Sequence, residues 1–314
     1  MESLVFSLNS TIPIFLVIVL GYILMRVHFF TGEFVKIADK YVFKVALPVL
    51  LFKQISTADI HRDFDIRFVL FCMIATTMMF WGVWILARIF FKDKSMVGAF
   101  TQASARGSAA ILGIAFIENI YGSSGMGPLM IVSAVPLYNI YSVIILTLGA
   151  SDRGSGKGTL KKTLMGIVKN PIIIGIVLGL PFSIMGIKIP TIPLKAVTSV
   201  AQTATPVALL VVGAGFKGRA AIAKIKPTCM AVFIKLVLLP LIFLPIAVAM
   251  GFRNESLVAI IIMLGSPTAV ACSIMAHNMN NDEVLSTSVV VLATLMSAFT
   301  LTGWIFLMRY MAWI

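Results

Sequence analysis

The chain repeats itself at a constant offset of 158 residues, and that register constrains the fold more than any single motif. Pro13-Ile14 and Ile18-Val19-Leu20-Gly21 return as Pro171-Ile172 and Ile176-Val177-Leu178-Gly179. Ala46, Pro48-Val49 and Leu51 return as Ala204, Pro206-Val207 and Leu209, and Gly107-Ser108 return as Gly265-Ser266. Separated segments that share one register indicate two structural repeats joined near the middle. A repeat that crosses a bilayer an odd number of times leaves its copy inverted, an arrangement that places binding sites near the midplane between the copies.

The bilayer itself follows from composition. Hydrophobic residues make up 60% of the 314 and charged residues only 12%, with a mean hydropathy of +1.04, against roughly 25% charged in a soluble domain. Apolar stretches near the ~20-residue spanning length fall at about 11–30, 36–56, 66–91, 97–118, 127–149, 166–187, 194–216, 228–250, 256–277 and 284–308. The expectation is an all-α polytopic membrane protein of ten transmembrane helices arranged as two inverted five-helix repeats. Helices 1–5 fall in residues 1–149, a linker in 150–163, and helices 6–10 in 164–314. The first stretch reads as helix 1 and not a cleaved signal, because Met1 to Ser10 carries Glu2 and no Lys or Arg, and no small-residue cleavage site precedes Arg26.

A formal charge of +13 is distributed over short loops, with no basic face of domain size, so no nucleic-acid partner is expected. Counted at alternate loops, fifteen Lys and Arg, among them Arg26, Arg88, Arg153 and Arg219, fall on one side and six, among them Arg62, Lys188 and Arg253, on the other. The positive-inside rule then puts the richer side, including the 150–163 linker, in the cytoplasm and both termini outside a plasma membrane. Loop 9–10, with Asp282 and Glu283, departs from the pattern.

Enzyme chemistry finds little footing. Gly154-Ser155-Gly156-Lys157-Gly158-Thr159 lacks the first Gly and the strand of a phosphate-binding loop and reads as linker. Asp59, Asp63 and Asp65 read as a solvated outer loop, and Cys72, Cys229 and Cys272 are too dispersed for a metal site or a disulfide framework. There is no His-Glu-x-x-His or Gly-x-Ser-x-Gly motif. Neither cofactor nor metal is expected.

The informative residues are polar or helix-breaking ones inside apolar spans. Helix 4 holds Gln102, Ser104, Arg106, Gly107 and Ser108, and helix 9 holds Gly265, Ser266, Pro267 and Thr268 at the equivalent depth. Gly and Pro weaken a helix, and unwound backbone survives at membrane depth only where protein or water satisfies it. Two breaks in one register therefore point to a mid-membrane site, with simple packing kinks as the plainer reading. Intramembrane cations indicate the sign of a ligand. Lys44 and Lys53 read as snorkelling, and Lys235 lies in helix 8. Arg106 has two readings: contact with a carboxylate through paired N–H groups, or bonding to carbonyls within the broken helix. Asn139, in helix 5, either lines a cavity or joins helices.

Ala46-Leu47-Pro48-Val49-Leu50-Leu51-Phe52, Arg106-Gly107-Ser108 with Leu112-Gly113-Ile114, Pro136 with Tyr138-Asn139, Gly213-Ala214, and Ser266-Pro267-Thr268-Ala269-Val270 follow one another as they do in a known family. Over nearly its whole length the chain resembles the auxin efflux carriers, a group that includes plant auxin exporters and bacterial malate or malonate permeases. The resemblance implies a fold like that of bile-acid sodium symporters. In it helices 1, 2, 6 and 7 form a scaffold that dimerises, and helices 3–5 and 8–10 form a transport domain with crossing, broken helices 4 and 9. Ser108, Ala115 and Ala271 stand where family members often carry Asn, Pro and Asn.

The reading is a secondary transporter of a small organic anion. Ser104, Arg106, Gly107, Ser108, Asn139, Gly265, Ser266, Pro267 and Thr268 are its candidate substrate residues. The rival is a receptor that keeps the fold and binds without transport. Coupling to a proton, to sodium or to neither stays open, with Asp39 and Glu118 the deepest carboxylates.

Overall fold

A computed structural model describes residues 2–57, 65–109, 117, 120–121, 125–149 and 165–314, with side chains from residue 12 onward. The 150–163 linker, Asp59 and Asp63, Leu112 to Ala115, and Glu118 lie outside the described residues.

Backbone polar groups must be satisfied internally in lipid, which leaves helices as the economical solution for an apolar chain. Among the described residues the chain is helical, with no strand beyond one isolated bridge. α1 (Glu2–Arg26) is followed by a rod made of α2 (Gly32–Tyr41), a π-helical turn (Val42–Ala46) and α3 (Leu47–Ser56). Then come α4 (Ile66–Phe90), α5 (Ser95–Ala105) and α6 (Gly127–Gly149). The second half contains α7 (Pro171–Ile184), α8 (Thr191–Ala214), the short α9 (Gly218–Ala223) and α10 (Ile225–Phe233). A second π turn (Ile234–Leu238) leads into α11 (Leu239–Ala249), and α12 (Asn254–Gly265), α13 (Ala271–Asn278) and α14 (Glu283–Tyr310) complete the chain.

Among the residues described with side chains, five rods are long and apolar enough to cross a membrane: α4, α6, α8, the joined α10–α11 and α14. Their ends match the predicted spans to within three residues. The expected first span at 11–30 is displaced: α1 runs from Glu2 to Arg26, and the chain turns at His28, whose φ is +60°. The sixth is shorter than expected because Asn170 caps Ile172 N–H at 3.0 Å and starts α7 at Pro171, a position where the missing N–H costs nothing. Asp65 caps α4 and Asp282 caps α14 in the same way.

Small residues set the closest helix seams. A Cβ on Gly21 would strike the Leu210 backbone, and one on Gly179 would sit 3.0 Å from Phe52 O. Gly213 likewise abuts Ile18, and Gly175 abuts Pro48. These contacts dock α1 on α8 and α3 on α7, with Phe52 and Phe182 edge to face at 5.6 Å. The Gly21–Leu210 and Gly179–Phe52 contacts are related by the same 158-residue offset at both ends. α12 is buried on every side from Leu257 to Gly265, as befits a helix with no polar stripe.

Candidate functional site

The two stretches that lack regular helix face each other. α5 ends at Ala105 because Arg106 is extended, with ψ of 113°, and α12 ends at Gly265 because Ser266 is extended, with ψ of 151°. Ser108 N–H donates to Pro267 O at 2.8 Å, Ala269 N–H donates to Arg106 O at 3.3 Å, and Gly107 and Thr268 form an antiparallel bridge. Backbone groups released by one break are thus satisfied largely by the other.

Side chains complete this exchange. Pro267 has no N–H to give to Met263 O four residues earlier; that carbonyl accepts instead from Tyr138 Oη at 2.8 Å and Lys235 Nζ at 3.3 Å. Leu264 O accepts from Lys235 Nζ at 2.5 Å. On the other helix, Thr268 Oγ1 donates to Ala103 O at 2.7 Å and caps the end of α5. A related substitution serves α11, where Pro240 leaves Leu236 O to Trp304 Nε1 at 2.9 Å.

Beside the paired breaks lies a cavity of about 60 Å³, several times the ~10–15 Å³ that one water molecule requires. One wall is Arg106, Gly107 and Ser108 with Ala269, Val270 and Ala271, the last at the start of α13. The second is Val135, Tyr138 and Asn139 of α6. The third comes from α3 and α8, with Leu47, Leu50 and Gln54 facing Ala204, Thr205 and Ala208. Among the described residues Arg106 is the sole charged one of the lining, and it is 6% exposed. Its guanidinium donates to Asn139 Oδ1 at 2.8 Å and Met275 Sδ at 2.7 Å, both neutral acceptors. Among the described residues no carboxylate pairs with it.

Of the expected substrate residues, Arg106, Gly107, Ser108 and Asn139 meet at this cavity. Ser104, Gly265, Ser266, Pro267 and Thr268 do not line it, and Ser104 and Ser266 are fully buried with no hydrogen-bond partner for their hydroxyls among the described residues. The sequence reading missed Gln54 and Thr205, which bring polar groups from the opposite wall. It also left Lys235 without a place, although its Nζ closes the carbonyl end of α12 immediately behind Gly107. Lys44 is exposed and Lys53 is half-buried. Asp39 is buried and accepts from Asn278 Nδ2, 3.9 Å from His277 Nε2, well apart from Arg106 in the bonding network. Among the described residues no group of three His, Cys, Asp or Glu is disposed to hold a metal. Arg106 thus gives the cavity wall a positive charge, and the described lining carries no His, Cys, Asp or Glu.

The family model described as membrane transport protein matches residues 6–305. The chain is 26% identical to "Uncharacterized transporter YfdV" of Escherichia coli, over 98% of this chain and 99% of that protein. It is 23% identical to "Uncharacterized transporter" of Methanothermobacter thermautotrophicus, over 95% and 97% of the two chains. It is also 23% identical to "Putative malonate transporter" of Rhizobium meliloti, over 95% and 94%.

Proposed function

This chain belongs to the membrane transport protein family, the auxin efflux carriers, and from that premise we propose that it is a secondary transporter carrying a small organic anion across the plasma membrane by alternating access. The anion is a carboxylate such as malonate, malate or an auxin-like acid; the malonate named for the Rhizobium relative favours the first. One observation carries the reading: a buried arginine without an acidic partner among the described residues opens on a cavity between helices from both halves of the chain. Keeping such a charge in a membrane costs at least ~2.5 kcal/mol, and a carboxylate ligand offsets that cost through two parallel N–H bonds.

In this reading Arg106 exchanges Asn139 Oδ1 and Met275 Sδ for the carboxylate. Ser108, Asn139 and the amides at the start of α13 orient it, the positive end of that helix adding to the attraction. Leu47, Leu50 and Val135 hold the carbon part. Ser104, Ser266 and Thr268 shape the breaks. The α1–α8 and α3–α7 seams form the scaffold, α4–α6 and α10–α14 the moving domain, and the cavity lies between the two. The symmetry of the Gly21–Leu210 and Gly179–Phe52 contacts supports two inverted repeats of five helices, with the basic loops on the cytoplasmic side.

A thermal-shift screen of mono- and dicarboxylates, at two pH values and with or without sodium, tests the reading, because a ligand stabilises in proportion to its occupancy. At least one small carboxylate should raise the melting temperature of the parent and fail to do so for Arg106→Gln. A screen in which none stabilises, or in which the variant responds equally, overturns it.

A further inference from the structure

We propose that Lys235 Nζ is a resident cation of the paired breaks: a tethered ammonium standing in a carbonyl-lined site for a monovalent cation, so that no sodium ion is needed there. Lys235 is fully buried, and the π turn at Ile234–Leu238 carries its side chain inward; such wide turns are frequent at functional positions. Its ligands are Leu264 O at 2.5 Å and Met263 O at 3.3 Å, the carbonyls that the break after Gly265 deprives of helix partners. They form the negative end of α12, which favours a positive charge.

A third oxygen borders the same point. Ser266 Oγ is buried with no hydrogen-bond partner among the described residues, and a Cβ added to Gly107 would overlap it while lying 3.0 Å from Lys235 Nζ. The ammonium and the hydroxyl thus both pack against Gly107, whose lack of a side chain permits their close approach. Backbone carbonyls with a neutral hydroxyl are the donor set that replaces water around an alkali ion. No carboxylate pairs with Lys235 among the described residues, so the cation answers helix carbonyls and no acidic side chain. A mere structural pin would need the bonds alone; a resident cation predicts that a free one can replace it.

The test uses the purified full chain and no substrate, so it reads separately from the transporter proposal, on which only the consequence of sodium-independent transport rests. Melting temperatures of the parent and of Lys235→Ala are compared in choline, sodium, potassium and ethylammonium chloride at equal ionic strength. The parent should melt within about 1 °C in all four, and Lys235→Ala should fall by about 3–6 °C in choline. Ethylammonium, or one of the two alkali ions, should return about half of that loss or more. A parent stabilised by sodium over choline would overturn the proposal, as would a variant as stable as the parent or a destabilised one that no cation helps. Should Lys235→Ala not fold, Lys235→Met keeps the volume without the charge. Parental stability in that variant also overturns the proposal, and the parent's response to sodium decides by itself.

Discussion

Arg106 and Asn139 are joined by a 2.8 Å hydrogen bond from guanidinium to amide oxygen, across the cavity wall shared by the helix 4 break and α6. The Asn139 amide nitrogen is turned back onto Val135 O at 2.8 Å, which fixes which atom faces the guanidinium. A cation held by neutral acceptors is anchored yet keeps its charge for a ligand.

Arg106→Gln should therefore weaken carboxylate binding by about 10–100-fold, as expected for loss of a charged hydrogen bond worth ~1.5–3 kcal/mol, while leaving folded protein in the membrane. Lys44→Gln should be mild, since Lys44 is exposed and its repeat counterpart is already Gln202. Binding isotherms on both variants check this; equal loss in the two would remove Arg106 from the site.

Pro267→Ala supplies an N–H that competes with Tyr138 and Lys235 for Met263 O. Because α12 ends at Gly265 and Pro267 lies in the break beyond it, no helix-interior Pro is relieved, and the new N–H replaces bonds that Met263 O already has, so the variant should be about as thermostable as the parent. Closing the break should at the same time weaken anion binding. Parental affinity in a folded variant would mark the break as a packing kink.

The glycine seams make a paired prediction. Gly213→Ala drives a methyl into the Ile18 backbone and should cost about 1–3 kcal/mol by overpacking. Gly82→Ala in α4 meets nothing within 4 Å and should be neutral or stabilising by up to about 1 kcal/mol. Melting curves of the two variants should shift in opposite directions or differ by several degrees.

Orientation is checked by single cysteines at Lys92 and Lys188 in a background without Cys72, Cys229 and Cys272. Both lysines are exposed, and the basic asymmetry places Lys92 in the cytoplasm and Lys188 outside. An impermeant thiol reagent on intact cells should label only the second; labelling of both contradicts the inverted-repeat topology.

Much of this arrangement could be read from residue order alone. Gly107-Ser108 and Gly265-Ser266 carry the repeat register and also mark where regular helix stops, because Gly and Pro act locally on the backbone. Arg106 stood out for a similar reason, as a charge amid small and polar neighbours. Lys235 did not: its inward course depends on a π turn, and the helical period of 3.6 cannot anticipate an extra residue in the turn. Gln54 and Thr205 were equally hidden, since they reach the cavity only when α3 and α8 close over it. Ser104, Ser266 and Thr268 share the depth of the site yet stay off the cavity lining: Ser104 is still within α5, and Thr268 gives its hydroxyl to Ala103 O, placements that depend on how the two breaks pair.

The most direct measurement is solute counterflow in proteoliposomes, using the radiolabelled carboxylate that most stabilises the purified protein. Vesicles preloaded with that carboxylate should take up label transiently above equilibrium with the parent chain and only at the protein-free rate with Arg106→Gln. Binding of the carboxylate without any exchange across the membrane would contradict transport and identify the chain as a receptor.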